Sequence, residues 1–256
     1  MEPTFYEFMD LFEKNITVEQ IASNFECCKK GEEKNKETFE NMEEKGYDLM
    51  GIDDNGKRYQ CVTIEAEVVD INIGDIVSDS TPLTDIIELF HENPKRKLFV
   101  LNKKRIEGIV IKADLQKGPF LLFIFGLITN FEITCREFIK KFCGNIWEKH
   151  LSEKVRKKLD EYYNDLKHNG EEIDKLHCTF LPNLKPILFK NSNFCTILKD
   201  LNLSKTKAKN KFDRIVILRN NLAHSKKIEH EIKDWENILD VIHYIPQFTS
   251  RMRRTI

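Results

Sequence analysis

Paired cysteine spacing is missing from this sequence. Its 7 cysteines, Cys27, Cys28, Cys61, Cys135, Cys143, Cys178 and Cys195, are odd in number, and no two stand as C-x-x-C. Neither a finger-type zinc site nor a disulfide framework is favoured, and a reduced, cytoplasmic protein is the expectation. Net charge is missing as well. With 41 Lys and Arg against 42 Asp and Glu, overall charge gives no pull towards nucleic acid, so any contact with RNA must come from local patches. The longest apolar run, from Phe120 to Ile128, falls short of the roughly 20 residues that span a bilayer. The acidic and aromatic residues that follow Met1 do not read as a signal peptide, and no membrane is expected as a partner.

What is present falls into two styles. In the first, Phe5, Phe8, Met9 and Phe12 are spaced for one face of a short helix. Thr17 and Gln20 make a capping box, and Val18, Ile21, Ala22 and Phe25 follow in helical rhythm. Lys29 to Lys36 is a charged run that reads as a solvated loop. Phe39 and Met42 sit on a helix that Gly46 stops. Tyr47 to Ile52 and Tyr59 to Ile64 read as strands around an Asp53-Asp54-Asn55-Gly56 hairpin turn. A similar order then recurs. Thr81 reads as an N-cap and Pro82 as a first helical residue, with Leu83, Ile86, Ile87 and Phe90 as the apolar stripe. Lys97 to Leu101 and Gly108 to Ile111 are strands joined by a turn over Asn102 to Arg105. Helix, strand, turn, strand, used twice, is an internal repeat.

Read with the segment from Ile106 to Leu115, this repeat resembles a tandem CBS pair, or Bateman module. Ile106-Glu107-Gly108-Ile109-Val110-Ile111-Lys112-Ala113-Asp114-Leu115 is similar to that family's G-[IV]-[IV]-[TS]-x-x-D-[LI] ending, with Ile111 at the family's Thr/Ser position. By position alone, Asp114 reads as a cap for the helix after it. The resemblance implies that Asp114 accepts hydrogen bonds from a nucleotide ribose. Thr81 and Lys112 are the other candidate ligand contacts, and an adenine nucleotide is the possible ligand.

From Gly118-Pro119 onward glycine and strand signals nearly vanish, which places a domain boundary there: 1–117 for the repeat module and 118–256 for a helical bundle, α+β in all. The bundle is expected to hold four or five helices, among them a charged one over Ser152 to Lys167 with Val155, Leu159, Tyr162, Tyr163 and Leu166 on its apolar side. Others run over Leu181 to Phe189, over Ser204 to Leu218, and over Trp235 to Tyr244.

The third of these leads into Arg219-Asn220-Asn221-Leu222-Ala223-His224. A fixed cation and a group that titrates near neutral pH suffice in principle to cut RNA without a metal. The arginine offsets charge that builds on a phosphate, and the histidine moves a proton. On an ideal helix these two side chains stand roughly 140° apart. Either the helix breaks near Asn220-Asn221, both weak helix formers, or a second copy of the chain completes the site. The stretch resembles the R-N-x-x-[AS]-H signature of HEPN domains, all-helical and often dimeric ribonucleases, and the resemblance implies the second arrangement. The catalytic candidates are Arg219, His224, Asn220 and Glu132.

Glu132 shares a stripe with Phe125, Ile128 and Arg136. It is a candidate to orient Arg219 or His224, or else a structural partner of Arg136. Lys205, Lys207, Lys209, Lys211, Arg214, Lys226 and Lys227 make a locally basic zone suited to an RNA backbone, or a solvated lysine-rich loop, and Arg251, Arg253 and Arg254 could add to it. His177-Cys178 lacks metal-ligand spacing, so no metal is expected. The two resemblances together imply a ligand-regulated, homodimeric, metal-independent endoribonuclease, and by resemblance alone a component of a bacterial toxin or antiviral system. The alternative is a non-catalytic, nucleotide-sensing regulator whose helical half binds RNA or a protein partner.

Overall fold

Asn55 and Gly56 both adopt positive φ, 53° and 84°, and this lets a two-residue turn close a tight hairpin. The strands it joins are β3 (Leu49–Asp54) and β4 (Lys57–Thr63). The chain is described from a computed structural model, which covers residues 5–224 and 235–256. It divides into two units, Met1–Phe123 and Ile124–Ile256, with the sheets in the first and helices making up the second.

In the first unit, β2 (Cys27–Lys29) lies parallel to β3, with Cys27 opposite Gly51. The crossover between them is α2 (Lys36–Lys45), which Gly46 ends in the left-handed conformation. The second half repeats this plan: β6 (Ile76–Ser78), α3 (Leu83–Glu92), β7 (Leu98–Asn102) and β8 (Arg105–Val110), with Ile76 opposite Phe99. The repeat is therefore strand, helix, strand, strand, one strand longer than the sequence pattern suggests. Each half also gives a leading strand to the other half's sheet. β1 (Ser23–Asn24) pairs with β8, and β5 (Val68–Asp70) pairs with β4. The sheet orders are β1-β8-β7-β6 and β2-β3-β4-β5.

Apolar clusters of the described residues hold this unit. Met42, Met50, Ile52 and Val62 bury α2 on its sheet. Phe25, Cys61, Phe99 and Ile106 join residues of both sheets, with Phe25 edge-on to Phe99 at 5.2 Å. Gly51 leaves room for this packing: a Cβ placed there would lie 2.5 Å from Cys27 Sγ and 2.6 Å from the Phe25 ring. The α3 stripe Leu83, Ile86, Ile87 and Phe90 is fully buried, each side chain contributing about 1.5–3 kcal/mol.

Two local readings are corrected. Gln20 does accept the Thr17 N–H at 2.6 Å, but the helix it starts is a single 3-10 turn, Val18–Gln20. Pairing with β8 then extends the chain, and Phe25 N–H donates to Glu107 at 2.9 Å. The N-cap of α3 is Pro82 rather than Thr81, because the Thr81 carbonyl is taken by the Val18 N–H at 2.8 Å. The helix α1 (Phe5–Asn15) forms, and Phe12 stacks on Phe123, while the side chains of Phe5, Phe8 and Met9 lie outside what is described.

The second unit begins inside α4 (Gly118–Cys143), so the boundary lies six residues past the one expected, within a helix that Gly118 only starts. There follow α5 (Glu153–His168), α6 (Leu181–Leu188), α7 (Ser192–Asp200), α8 (Lys205–Ala223) and α9 (Trp235–Thr255). The sequence pattern missed α7, although Asn191 accepts the N–H groups of Asn193 and Phe194 as its cap and Phe194, Ile197 and Leu198 supply its buried side. It also ended α9 early; the helix runs through Pro246. Phenylalanines fill the centre, with Phe131 meeting Phe212 and Phe248, and Phe194 meeting Phe138 and Phe189. The apolar run from Phe120 to Ile128 is the start of a stretch, Gly118–His150, that is long and apolar enough to cross a membrane by length and composition alone. Its most apolar window is 56% buried inside the protein, as in a core helix.

Candidate functional sites

Ser204 caps α8 by accepting the Lys207 N–H, and Ala208, Phe212, Ile215 and Leu218 bury one side of the helix. The helix does not break at Asn220-Asn221. It continues to Ala223, and His224 is its C-cap, with its N–H on the Asn220 carbonyl at 3.1 Å. Arg219 and His224 therefore keep the wide angular separation of an ideal helix, and no bond joins them. His224, Asn220, Ile217 and Asp213 are spaced to share the outward stripe, and all four are exposed. Arg219 is half-buried beside them, with Nη1 3.4 Å from Asn220 Oδ1. Asn221 points the other way: it is 2% exposed, and its Nδ2 has no partner among the described residues.

Glu132 shows no bond to Arg219 or His224 among the described residues. Arg136, one turn along α4, is nearer and takes its carboxylate, then donates a further N–H to the Thr179 carbonyl at 2.8 Å. The basic zone is smaller than the sequence suggests. Lys205, Lys207 and Lys209 are exposed, but Lys211 is buried, paired with Asp240 and lying 3.9 Å from the centre of the Tyr244 ring. Arg214 bonds to Asn237. Arg253 bonds to Asn130, while Arg251 and Arg254 are exposed. Lys226 and Lys227 lie outside the described residues.

In the first unit Asp114 is 5% exposed, and its carboxylate is engaged on every side. It accepts the Ile111 N–H at 2.7 Å and the Ser23 hydroxyl at 2.8 Å, and pairs with Lys117 at 2.8 Å. Lys117 also donates to the Ile21 carbonyl. Asp114 thus caps the 3-10 turn Lys112–Gln116 and ties it to the start of β1. Lys112 is exposed, and Thr81 is engaged through its backbone with Val18.

A hollow of about 1060 Å³ is lined elsewhere, by Asn24, Cys27, Lys29, Lys30, Asp53, Arg58 and Glu107 among others. It opens between residues of the two sheets. None of Asp114, Thr81 and Lys112 lines it. Inside it, Arg58 holds Asp53 at 2.9 Å and Lys30 holds Asp54 at 2.7 Å, and both carboxyls sit below their ordinary range. For Asp53 the main cause is the Gly56 N–H; for Asp54 it is Lys30. Burial pushes the Cys27 and Cys61 thiols up to about 11, so neither is a thiolate nucleophile at neutral pH. The sequence signal for this hollow was the charge-dense turn after β3, read there as a hairpin only.

Among the described residues no group of three or more His, Cys, Asp or Glu is placed to hold a metal ion. His177 is exposed and Cys178 buried, so the two point apart. Comparison with protein families, with curated proteins and with solved structures found no match for this chain.

Proposed function

We propose that this chain is a metal-independent endoribonuclease of the HEPN type, active as a homodimer, whose N-terminal unit senses a small ligand. The observation that carries the reading is the unbroken course of α8 through Asn220-Asn221. With the helix straight, one copy does not aim Arg219 and His224 at a single phosphate, and a second copy across the outward stripe supplies the complement. Ile217, 41% exposed on that stripe, gives such an interface an apolar centre.

In the proposed reaction the substrate's 2′-oxygen attacks the adjacent phosphorus as its proton leaves for a base. The bond to the 5′-oxygen breaks, and that oxygen takes a proton. The products are a 2′,3′-cyclic phosphate and a 5′-hydroxyl. His224 moves a proton, Arg219 offsets charge on the phosphorus oxygens, and Asn220 steadies Arg219. Lys205, Lys207 and Lys209 give the backbone a basic approach. The ligand is assigned to the hollow at Asp53 and Arg58 rather than to Asp114, whose carboxylate is already saturated. A nucleotide remains the proposed class, and cytoplasmic toxin or antiviral work the proposed setting. The test is cleavage of labelled RNA in EDTA by the unaltered chain, abolished in His224→Ala.

A second reading has one observation in its favour: His224 is exposed, and no side chain among the described residues holds it. A non-catalytic regulator that binds RNA or a protein partner through α8 would need no such positioning, and it predicts RNA binding without cleavage.

A further inference from the structure

The charged helix α5 was expected to bury an apolar stripe, yet of its five apolar residues only Leu159 is fully buried. Tyr162 stays 46% exposed and Phe180, at the N-cap of α6, 57% exposed. Their rings face each other with centroids 6.3 Å apart and planes 26° from parallel. Beside them is a hollow of about 180 Å³ lined by Val155, Lys158, Leu159, Cys178 and Asn183. Two half-exposed aromatic faces held near parallel are costly to leave in water.

We infer that Tyr162 and Phe180 form a stacking platform for an unpaired nucleobase of RNA. Base–aromatic stacking tolerates any base, because every base has a flat π-face. The rim fits the rest of a nucleotide. Asn183 has no side-chain partner among the described residues and presents both a donor and an acceptor to a base edge. Lys158 lines the hollow, Lys154 stands one turn before it, and neither has a carboxylate partner among the described residues. Glu161 and Asp165 lie towards the other end of α5, so the phosphate side is the N-terminal one.

The contacts between α6 and α8 set the direction from the platform to the motif. Lys185 of α6 pairs with Asp213 of α8, while Phe189, further along α6, packs against Phe212 and has Lys209 5.9 Å from its ring. Going forward along α6 therefore means going backward along α8. Phe180, upstream of Lys185, lies in the direction of the part of α8 beyond Asp213, which carries Ile217, Arg219 and Asn220. This inference rests on the ribonuclease reading and narrows its substrate to RNA with an unstacked base near the cut.

The experiment measures binding apart from cleavage. In the full chain carrying His224→Ala, anisotropy of a fluorescein-labelled short single-stranded RNA gives the affinity, with a blunt duplex as competitor. Single strand should win over duplex, and Phe180→Leu and Tyr162→Leu should each weaken binding by about tenfold. Phe180→Trp should keep it. Leucine preserves apolar packing but offers no ring, so unaltered affinity in both leucine variants overturns the platform. So does equal affinity for duplex, or no RNA binding at all. If Phe180→Leu alters self-association by light scattering and leaves RNA affinity unchanged, the rings are a protein interface and the inference fails. RNA binding of the expected kind with no cleavage by the unaltered chain would refute the nuclease and leave the platform standing.

Discussion

Glu132 and Arg136 form an ion pair one turn apart on α4, and Arg136 extends it to the Thr179 carbonyl at the entrance to α6. Both side chains are largely buried, and Arg136 Nε has no hydrogen-bond partner among the described residues. Removing the carboxylate leaves a buried cation with one fewer partner. Glu132→Ala should therefore destabilise the fold by about 3–5 kcal/mol, and Glu132→Gln by less. Urea unfolding checks this. A variant as stable as the parent would show that the pair is idle. A Glu132→Gln chain that is stable but inactive on RNA would return Glu132 to the catalytic list.

Lys211 differs from the other lysines of α8. It pairs with Asp240 and lies over Tyr244, whereas Lys205, Lys207 and Lys209 are solvated. Lys211→Ala should lower stability by about 1–3 kcal/mol. Alanine at Lys205, Lys207 or Lys209 should leave stability within about 0.5 kcal/mol. Instead, each should reduce the slope of RNA affinity against salt by about 1. Denaturant melts and a salt titration of RNA binding separate the two classes.

What the sequence revealed and hid follows from how much context each residue needed. Leu83, Ile86, Ile87 and Phe90 repeat at helical spacing, and Asn55-Gly56 fits one kind of turn, so both were readable locally. β2 was not: three residues, Cys27–Lys29, run straight into charge, and only pairing with β3 makes them a strand. Lys211 looked solvated among its neighbouring lysines. Its place between Ala208 and Ile215, on the buried side, was a signal that lysine's usual exposure outweighed. Asp114 and Glu132 stand at the positions that a resemblance singles out, yet the other reading of each, a cap and a partner of Arg136, follows from local spacing and matches their bonds. The Ser23 hydroxyl on Asp114 and the Thr179 carbonyl on Arg136 depend on tertiary contact, which spacing does not supply. The Tyr162–Phe180 pair was half visible, since Tyr162 was placed on an apolar stripe; its exposure was not.

Acid should weaken the fold through a few carboxylates. Asp53 is held below its usual 3.8 first by the Gly56 N–H and then by Arg58, and Asp174 by the Lys140 side chain and the Leu176 N–H. A carboxyl with a lower pKa folded than unfolded adds stability above its unfolded value, and that stability is lost as pH falls through the folded one. Unfolding free energy should hold from neutral pH down to the ordinary carboxylate range and drop below it. Asp53→Asn and Asp174→Asn should start less stable at pH 7 and lose less on acidification. A parallel acid limb in both variants would assign the loss to other groups.

Ile217 tests the assembly. It is 41% exposed on the same stripe of α8 as Asn220 and His224. Ile217→Glu should leave folding stability within about 0.5 kcal/mol, since little packing is lost. Against a second copy it sets two like charges facing each other, so light scattering should show monomer where the parent is a dimer. RNA cleavage should fall with the dimer. A variant that stays dimeric and active would remove this face from the interface.

The chemistry itself is tested at Arg219 and His224. Neither belongs to the fully buried core: His224 is exposed, and Arg219 is half-buried with a side-chain bond to Asn220. Each alanine variant should therefore melt like the parent. If His224 moves the proton and Arg219 neutralises the phosphate, each change should slow cleavage by at least about 10²-fold. Both act on one transition state, so the double variant should be little worse than the singles. If both residues of one site came from the same copy, mixing the two single variants would restore nothing. If each copy contributes one, as the straight course of α8 favours, mixed dimers should regain part of the activity. Cleavage should persist in EDTA and stop on RNA with a 2′-deoxy sugar at the cut, where the nucleophile is gone. Activity retained by His224→Ala, or cutting of the deoxy substrate, would leave α8 as a binding surface and the chain as a regulator.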